Sequence, residues 1–462
     1  MCSKRAKARA ARKAVRAADA DVTEMGDKRH VGAHSPEGHR PQATGHSQSQ
    51  DGSSLAVVGS RSPACFIVAA ALSVVTALIV PLTSSAAVLP EDRADVLYHR
   101  YEGGGVTIHG PSVLVRKKMA EKYSISANYY MDMVTSASID VEVSGASEYK
   151  EERDQYSFGF DYLRGKTSYS LSYTNSEEND YEAQTVSFGI SQDLFGDLTT
   201  ISMGFSKGED VVRRTIADAT TFARIIDPSF EEDVDRWSYR VGVAQILTKS
   251  LIMTLGLEVI TDEGYLNNPY RSYRYLNPTD DRLFALDTEL YPRTRTSNAV
   301  ALNARYFLPY RAAVHGGYRF FTDTWDIRAD TFELGYTHPI GQSWVLEAKL
   351  RYYTQDHADF YSDLFERRNE QNFLARDKEL STFSSQTFRI GATYEFARSG
   401  WRFVKKGSLN FYYDRIEFDY EDFRDARFSL LPSDDPDFRP AGAEPLYTFG
   451  ANVFQAFVSI WF

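Results

Sequence analysis

Cysteine is almost absent from this chain of 462 residues, which has only Cys2 and Cys65. Both lie within the first 86 residues, so a mature chain beginning at Ala87 would hold no disulfide, thiolate metal site or cysteine nucleophile. Histidine is also scarce beyond that point. The histidines of the mature part are His99, His109, His315, His338 and His357. No nucleophile-elbow motif accompanies them, and we therefore expect neither an enzymatic activity nor a cofactor.

Long apolar runs are equally scarce, and the chain has one, at residues 64–82. Small residues at Ser84 and Ala86 follow it directly and fit a signal-peptidase site before Ala87. The run is long enough for a transmembrane helix, but the site behind it favours a cleaved signal peptide over residues 62–86. Such a signal would export the mature chain from the cytoplasm.

Residues 1–61 lack hydrophobic periodicity and carry 11 basic and 6 acidic residues. No packed domain is expected there, and we interpret 1–61 as a disordered or mis-assigned extension, with translation starting at Val57 or Val58. Residues 87–462 form the predicted barrel domain and hold 41 basic and 57 acidic residues, a net charge of −16. So acidic a chain argues against a nucleic-acid partner.

Aromatic residues, in contrast, are abundant: they make up 14% of the chain, with 29 Tyr and 29 Phe. They stand in alternating segments, such as Tyr156, Phe158, Phe160 and Tyr162 with small or polar residues between them. Alternation with a period of two residues predicts strands with one apolar and one polar face.

The same alternation reaches the last residue of the chain. Apolar side chains stand at Phe454, Val458, Ile460 and Phe462, with polar or aromatic residues between them. The ends of soluble proteins are usually polar and fray, whereas the last strand of a membrane barrel pairs with the first to close the sheet. We therefore predict that these four residues form the closure signal that the barrel assembly machinery recognises.

A soluble sandwich also alternates, but three features favour a transmembrane barrel. The polar face carries many charges, aromatics cluster at strand ends, and short and long connections alternate. We predict an all-β, antiparallel up-and-down barrel of about 16 strands, or 14 if the first hairpin, 93–102 and 105–118, stays outside the sheet. Short periplasmic turns are predicted at 120–122, 164–166, 195–197, 248–250, 309–311, 340–342 and 397–400. Long outer loops are predicted at 134–152, 176–181, 208–233, 262–294, 324–329, 355–382 and 417–446.

The charged residues of the polar face are candidates for lining the lumen. They are Asp161, Arg240, Glu258, Arg305, Arg319, Glu333, Glu347, Lys349, Arg351, Arg389 and Glu395. Opposed basic and acidic rows would set the selectivity of a pore. The alternative is that they pair across a narrow lumen and brace it, because a buried charge needs water or a partner.

Two predicted outer loops carry binding candidates. Aromatic, arginine and amide side chains are interleaved in 261–282, which fits either a plug inside the lumen or a surface that binds a sugar or peptide. In the later loop, Asp356, His357, Asp359 and Asp363 are weak candidates for binding a hard divalent cation. The other interpretation of these four residues is a solvated acidic loop over the barrel mouth, and we expect no metal.

Several long strings give the chain a family resemblance. They include GPSVLVRK (110–117), SQDLFGDLTT (191–200), VITDEGYLNNPYR (259–271), YTQDHADFYSDLF (353–365) and NFLARDKELSTFSS (372–385). From about Arg93 to Phe462 the chain resembles the bacterial outer-membrane barrel family known as domain of unknown function 3570. The resemblance implies a barrel in the envelope without an established activity, and it hints at a periplasmic lipoprotein or thioredoxin-like partner.

The predicted function is a passive pore or solute channel embedded in outer-membrane lipid, with its own loops as a possible plug. The second hypothesis is a structural barrel that docks a periplasmic redox or assembly partner. The third is a barrel enzyme.

Overall fold

The computed structural model describes residues 88–136, 139, 143, 149–217 and 224–462. The predicted extension 1–61 and signal peptide 62–86 lie outside the described residues. Within the part that is described, no helix has the length and apolar character needed to cross a membrane.

Sixteen antiparallel strands form one closed barrel, which confirms the predicted architecture and strand number. The barrel strands are β1 (Arg93–Gly103), β2 (Val106–Met119), β3 (Tyr123–Ser136), β4 (Tyr149–Arg164), β5 (Thr167–Glu178), β6 (Tyr181–Leu194), β7 (Thr199–Ala217), β8 (Arg224–Thr248), β9 (Leu251–Gly264), β12 (Thr294–Phe307), β13 (Ala313–Asp323), β14 (Arg328–Ile340), β15 (Trp344–Gln355), β16 (Phe383–Phe396), β17 (Lys406–Arg424) and β18 (Leu446–Trp461). β1 pairs with β18 to close the sheet and with β2 on its other side. The first hairpin thus belongs to the barrel, and the 14-strand alternative is wrong.

Two kinds of smaller element lie outside the barrel wall. A hairpin of β10 (Ser272–Asn277) and β11 (Asp280–Thr288) forms a separate two-stranded sheet in the connection between β9 and β12. Short 3-10 helices lie at Lys378–Leu380 and Ala426–Ser429 in two later connections.

The predicted short turns all lie between consecutive strands at one end of the barrel. Gly165, Gly196 and Gly341 stand in three of them with φ of 63°, 69° and 60°, a backbone conformation that favours glycine. The turn between β16 and β17 is longer than predicted, since it covers 397–405 rather than 397–400.

The outer connections depart further from the prediction, because several strands continue beyond their expected ends. The predicted loop 208–233 is mostly strand, since β7 extends to Ala217 and β8 starts at Arg224. β17 extends to Arg424, and β5 and β6 are joined by two residues rather than by the loop predicted at 176–181. Apart from 137–148, most of which lies outside the described residues, the long outer connections are 265–293, 356–382 and 425–445.

A reversal of polarity along the strands explains these departures, and β17 shows it clearly. Its outward series is Leu409, Phe411, Tyr413, Arg415, Glu417, Asp419 and Glu421. Its inward series is Asn410, Tyr412, Asp414, Ile416, Phe418 and Tyr420. The outward face is apolar in the lower part of the strand, toward the short turns, and charged in the upper part, toward the outer loops. The inward face is polar in the lower part and apolar in the upper part. A criterion that requires an apolar outward face therefore ends the strand too early.

The lower part of the barrel has an apolar outward band with aromatic residues at its two edges. At the inner edge Tyr123, Tyr162 and Tyr169 stack along three strands, with ring centres 5.2 and 6.0 Å apart. At the outer edge Tyr318 Oη donates a hydrogen bond to Asp330 Oδ1 at 2.6 Å. Aromatic girdles of this kind lie at the two interfaces of a bilayer. The closed sheet with its apolar band is therefore a membrane-embedded barrel of the outer-membrane type.

Candidate functional site in the barrel interior

Paired charges line the inward face of the lower barrel. Arg240 Nε donates to Glu258 Oε1 at 2.5 Å between β8 and β9. Arg389 Nε donates to Asp414 Oδ1 at 2.6 Å between β16 and β17. Each of these arginines therefore has a carboxylate on a neighbouring strand, which offsets part of the cost of placing its charge inside the barrel.

A denser charged group lies on β13, β14 and β15. Lys349 Nζ and Arg351 Nε lie 3.5 and 3.6 Å from Oε1 of Glu333. Arg319 and Glu347 are buried on the same inward faces. The structure thus brings these five predicted residues into one sector of the wall, which we call the charged wall.

The other three lining candidates lie closer to the inner end. Asp161 and Arg305 are half-buried on inward faces, with Arg305 opposite His315 in the strand register. Glu395, the next-to-last residue of β16, shares the inward parity of Arg389 and lies at the inner rim, where its Oε2 accepts a hydrogen bond from Arg398 Nε at 2.9 Å.

Small residues line the inward face of β4 to β7, which lies opposite the charged wall in the strand order. This sector, the serine wall, consists of Ser157, Gly159, Ser168, Ser170, Ser172, Ser187, Gly189, Ser191, Ser202, Gly204 and Ser206. Ser170 is exposed although it faces inward. The lower interior is thus polar, and it is accessible to water beside Ser170.

The upper interior is apolar, and there the barrel packs against its own outer loops. One buried cluster, the plug cluster, joins inward residues of strands on all sides to loop residues. Its strand members include Tyr101, Ile108, Val134, Tyr181, Val212, Val234, Ala299, Phe321, Ala329, Tyr353, Phe383, Phe418 and Val453. Its loop members include Leu266, Tyr291, Trp325, Ile327, Ala358, Phe360, Tyr361, Ala375 and Leu380.

Aromatic contacts hold the centre of the plug cluster together. The Trp325 ring packs edge-on against Tyr291 and Phe360, with ring centres 5.7 and 5.1 Å away. Burial raises the pKa of Tyr291 and of Tyr361 well above the usual value for tyrosine, so both phenols stay neutral. Leu266, from the segment 261–282 that was considered as a plug, belongs to the same cluster.

Ion pairs join the three long outer connections to one another. Arg274 of β10 contacts Asp363 from 356–382 and Glu444 from 425–445. The side chains of Arg274 and Glu444 have no exposed surface. A second buried arginine, Arg271, contacts Glu379. We call Arg274, Asp363 and Glu444 the loop triad, because it ties all three connections at one point.

The four weak metal candidates of the sequence analysis are spread over different contacts. They are Asp356, His357, Asp359 and Asp363. Asp363 belongs to the loop triad, whereas His357 Nδ1 lies 3.1 Å from Asp422 Oδ2. In the described ranges, these four residues do not form a common ligand set.

A different acidic group does converge, near the outer ends of β4 and β5. Glu151, Glu178 and Asp180 each have a carboxylate oxygen within 4.8 Å of those of the other two. Arg153 Nε lies 3.6 Å from Glu178, and Tyr270 Oη donates to Asp180. Sequence reasoning missed this group because Glu151 falls in the predicted loop 134–152 and Asp180 in the predicted loop 176–181.

The sequence analysis also missed a buried histidine group. His99 Nε2 lies 2.9 Å from Asp132 Oδ1 and 3.1 Å from Tyr130 Oη. The imidazole and the phenol are stacked with ring centres 5.0 Å apart. The inward parity of β1 and β3 is the signal that could have placed these side chains together.

The predicted closure residues lie along the seam between the first and last strands. Phe454, Val458 and Ile460 are on the outward face of β18 and are paired in register with residues of β1. The Phe462 amide donates to the carbonyl oxygen of Asp92 at 3.2 Å. The last residue thus extends the seam beyond the final strand.

Comparisons with known proteins identify the family of the chain. Residues 144–415 match the family described as "Protein of unknown function (DUF3570)", and no curated protein matches the chain. The siderophore receptor PirA from Acinetobacter baumannii is 9% identical with a TM-score of 0.39, over 72% of this chain and 53% of the receptor. The chain thus spans about half the length of that receptor. The loop L8 deletion mutant of OmpT from Vibrio cholerae is 8% identical with a TM-score of 0.36, over 80% of this chain and 98% of that protein.

Proposed function

The chain belongs to the DUF3570 family, and we propose that it is a gated channel of the outer membrane that its own loops close at the outer end. One observation carries the proposal: the interior is polar in the lower part and apolar in the upper part. The boundary between the two lies where the outer loops enter the plug cluster.

The lower interior supports passage of a hydrated solute. The serine wall and the charged wall face each other, and the exposure of Ser170 indicates that water reaches the space beside the serine wall. A barrel with a purely structural role would be better stabilised by apolar side chains that fill its interior, as in ordinary protein cores. Polar walls are instead what a water-filled path requires.

The upper interior supports closure that can be reversed. Most loop members of the plug cluster enter from the long connections 265–293 and 356–382, so they can leave without unfolding the wall, whereas Trp325 and Ile327 stay in the short turn between β13 and β14. The loop triad holds these connections through the guanidinium of Arg274, which pairs with Glu444 and Asp363. Asp363 also pairs with Arg376 at 3.0 Å, so Glu444 is the carboxylate that loses its cationic partner when Arg274 is removed. Removing the cationic partner of a buried ion pair costs about 3–5 kcal/mol, because the remaining charges stay buried without compensation.

Arg274→Ala should therefore favour the open channel. We expect wild-type barrels in planar bilayers to open rarely, and the variant to show an open probability at least tenfold higher, since about 1.4 kcal/mol suffices for a tenfold change. Single-channel recording at matched protein density measures this effect.

Arg282→Ala is the matched control. Arg282 belongs to the same hairpin but is exposed and pairs with Asp280 at 3.0 Å, and exposed pairs of this kind contribute little. Its open probability should equal that of the wild type. If Arg274→Ala folds into a heat-modifiable barrel and gives no more channel activity than Arg282→Ala, the proposed gate is refuted.

A docking barrel is the second candidate, and the turn 397–405 favours it. Trp401 and Phe403 in this turn are 65% and 75% exposed at the inner end of the barrel. Large exposed apolar side chains mark contacts with lipid or with a protein partner. A barrel that serves only for docking would give no discrete channels, even with the loop triad removed.

A further inference from the structure

The hairpin of β10 and β11 presents one strand edge to the outside. The other edge, on β10, is covered: Leu276 N donates to Phe365 O at 2.9 Å, and Phe365 N donates to Arg274 O at 3.0 Å. On β11, Leu283 and Leu286 are 40% and 43% exposed. A two-stranded hairpin is only marginally stable by itself, and an exposed apolar edge strand is a template for another strand.

The hydrogen-bond pattern identifies which backbone groups of β11 point outward. Glu289 N donates to Arg271 O, directly opposite it, at 3.3 Å. In an antiparallel pair the bonded positions alternate, so Asp287 and Ala285 bond to β10, while Leu286 and Phe284 point away from it.

Other segments of the chain cover the outward edge of β11 at its start and just beyond its end, where Leu290 and Leu374 exchange backbone hydrogen bonds at 3.0 and 2.8 Å. Ala441 N donates to Arg282 O at 2.9 Å, which agrees with an outward orientation of every second residue. Among the described residues, no hydrogen bond reaches the N–H or C=O of Phe284 or Leu286. These two residues together offer two donors and two acceptors in the spacing of an extended strand.

The charge around this edge is complementary to a basic partner. The three outer connections 265–293, 356–382 and 425–445 contain sixteen acidic and ten basic residues. At the edge itself the exposed Asp281 is offset by the exposed Arg282, so the attraction comes from the net charge of −6 of the three connections (10 − 16). A positively charged segment would be attracted to this end of the barrel and an acidic segment repelled.

We propose that the β11 edge is a docking site for an extended basic polypeptide segment of an external partner, which adds to the hairpin as a third strand. Main-chain hydrogen bonds to Phe284 and Leu286 fix the register of the added strand. Its apolar side chains pack on Leu283 or Leu286, and its lysines or arginines lie near the acidic loops. The site stands on the hairpin edge alone and does not depend on whether the barrel conducts.

Binding of a synthetic peptide of alternating valine and lysine tests the proposal on the full barrel in detergent. We expect saturable binding by fluorescence anisotropy and at least tenfold weaker binding to Leu286→Pro, which removes one outward N–H. The N–H of Leu286 takes no part in pairing with β10, and proline is tolerated at such edge positions. Leu286→Ala keeps the N–H and should weaken binding less than threefold.

Two further peptides keep the test decisive if Leu286→Pro fails to fold. N-methylation of alternate amides in the peptide should abolish binding to the wild-type barrel, and replacing lysine by glutamate should weaken it at least tenfold. Equal binding of the methylated peptide overturns strand addition. Equal losses of peptide binding in Leu286→Ala and Leu286→Pro would show that only the apolar side chain of Leu286 matters, and they would also overturn strand addition. A barrel dimer that only Leu286→Pro dissociates would assign the edge to a second copy and overturn the external partner.

Discussion

Gly110 of β2 illustrates how single positions control the approach of neighbouring strands. A Cβ atom added there would lie 1.9 Å from the carbonyl oxygen of Met131 on β3. The contact is with backbone, which cannot rotate aside as a side chain can. Pro111, which has no N–H to donate, follows at once, and neither residue is paired with β3 in the strand register. Glycine is thus required by space rather than by backbone conformation.

Gly110→Ala should destabilise the folded barrel by about 1–3 kcal/mol, as overpacked sites do. The urea concentration at which the heat-modifiable band disappears measures the effect. Gly204→Ala is the control, because a Cβ atom there would lie 3.7 Å from Arg240 Cβ, an ordinary contact. Similar midpoints for the two variants would show that β3 can move away from position 110.

At the scale of the strand, the reversal of polarity separates a part in contact with lipid from a part in contact with water. Phe418, in the upper part of β17, is buried and stacks on Phe449 with ring centres 4.5 Å apart. Its neighbour Glu417 faces outward and is exposed. The upper part of the wall therefore has the pattern of a soluble sheet, with its apolar side facing the plug cluster.

Phe418→Ala should lower the free energy of unfolding by about 3–5 kcal/mol, the usual cost of removing a buried aromatic ring. Glu417→Ala should change it by no more than about 0.5 kcal/mol, since exposed positions contribute little. Urea titration followed by tryptophan fluorescence compares the two variants. A small effect of Phe418→Ala would mean that the plug cluster is loosely packed.

Sequence reasoning recovered the strands wherever lipid imposes one continuous apolar face, as in β5 or β15. It ended β17 and β7 too early because the apolar residues cross to the inward face above the membrane. The residues of the charged wall were predicted together, whereas Asp414, the partner of Arg389, was missed, since a single sequence does not reveal register. The loop triad could not be predicted from the sequence, because Arg274 and Glu444 are 170 residues apart and meet only through loop packing.

At the scale of the whole molecule, closure of the barrel depends on the seam between β1 and β18. Eleven residues of β1, from Arg93 to Gly103, are paired with β18. Beyond the last pair, the Phe462 ring lies 4.9 Å from Lys117 Nζ, and Lys405 Nζ donates to Phe462 O at 3.1 Å. The terminal residue thus connects three neighbouring segments at the inner rim.

Deleting Phe462 should lower the yield of heat-modifiable barrel in cells, because these rim contacts and the apolar end of the closing strand are lost. Phe462→Tyr, which keeps the ring, should give the wild-type yield. Quantitative blotting of unheated outer-membrane samples compares the three proteins. An unchanged yield after the deletion would count against a role for this residue in assembly.

The length of β8 has a consequence for the shape of the protein on the cell. Its 25 residues make a strand roughly 80 Å long at about 3.4 Å per residue, whereas a tilted strand crosses the hydrocarbon with about ten residues. More than half of this strand therefore stands clear of the bilayer, and the barrel wall projects farther from the membrane at β7 and β8 than at β13, which has 11 residues. One continuous sheet is thus in contact with both water and lipid. A chaotrope that unfolds the part above the membrane need not release the part inside the membrane from lipid.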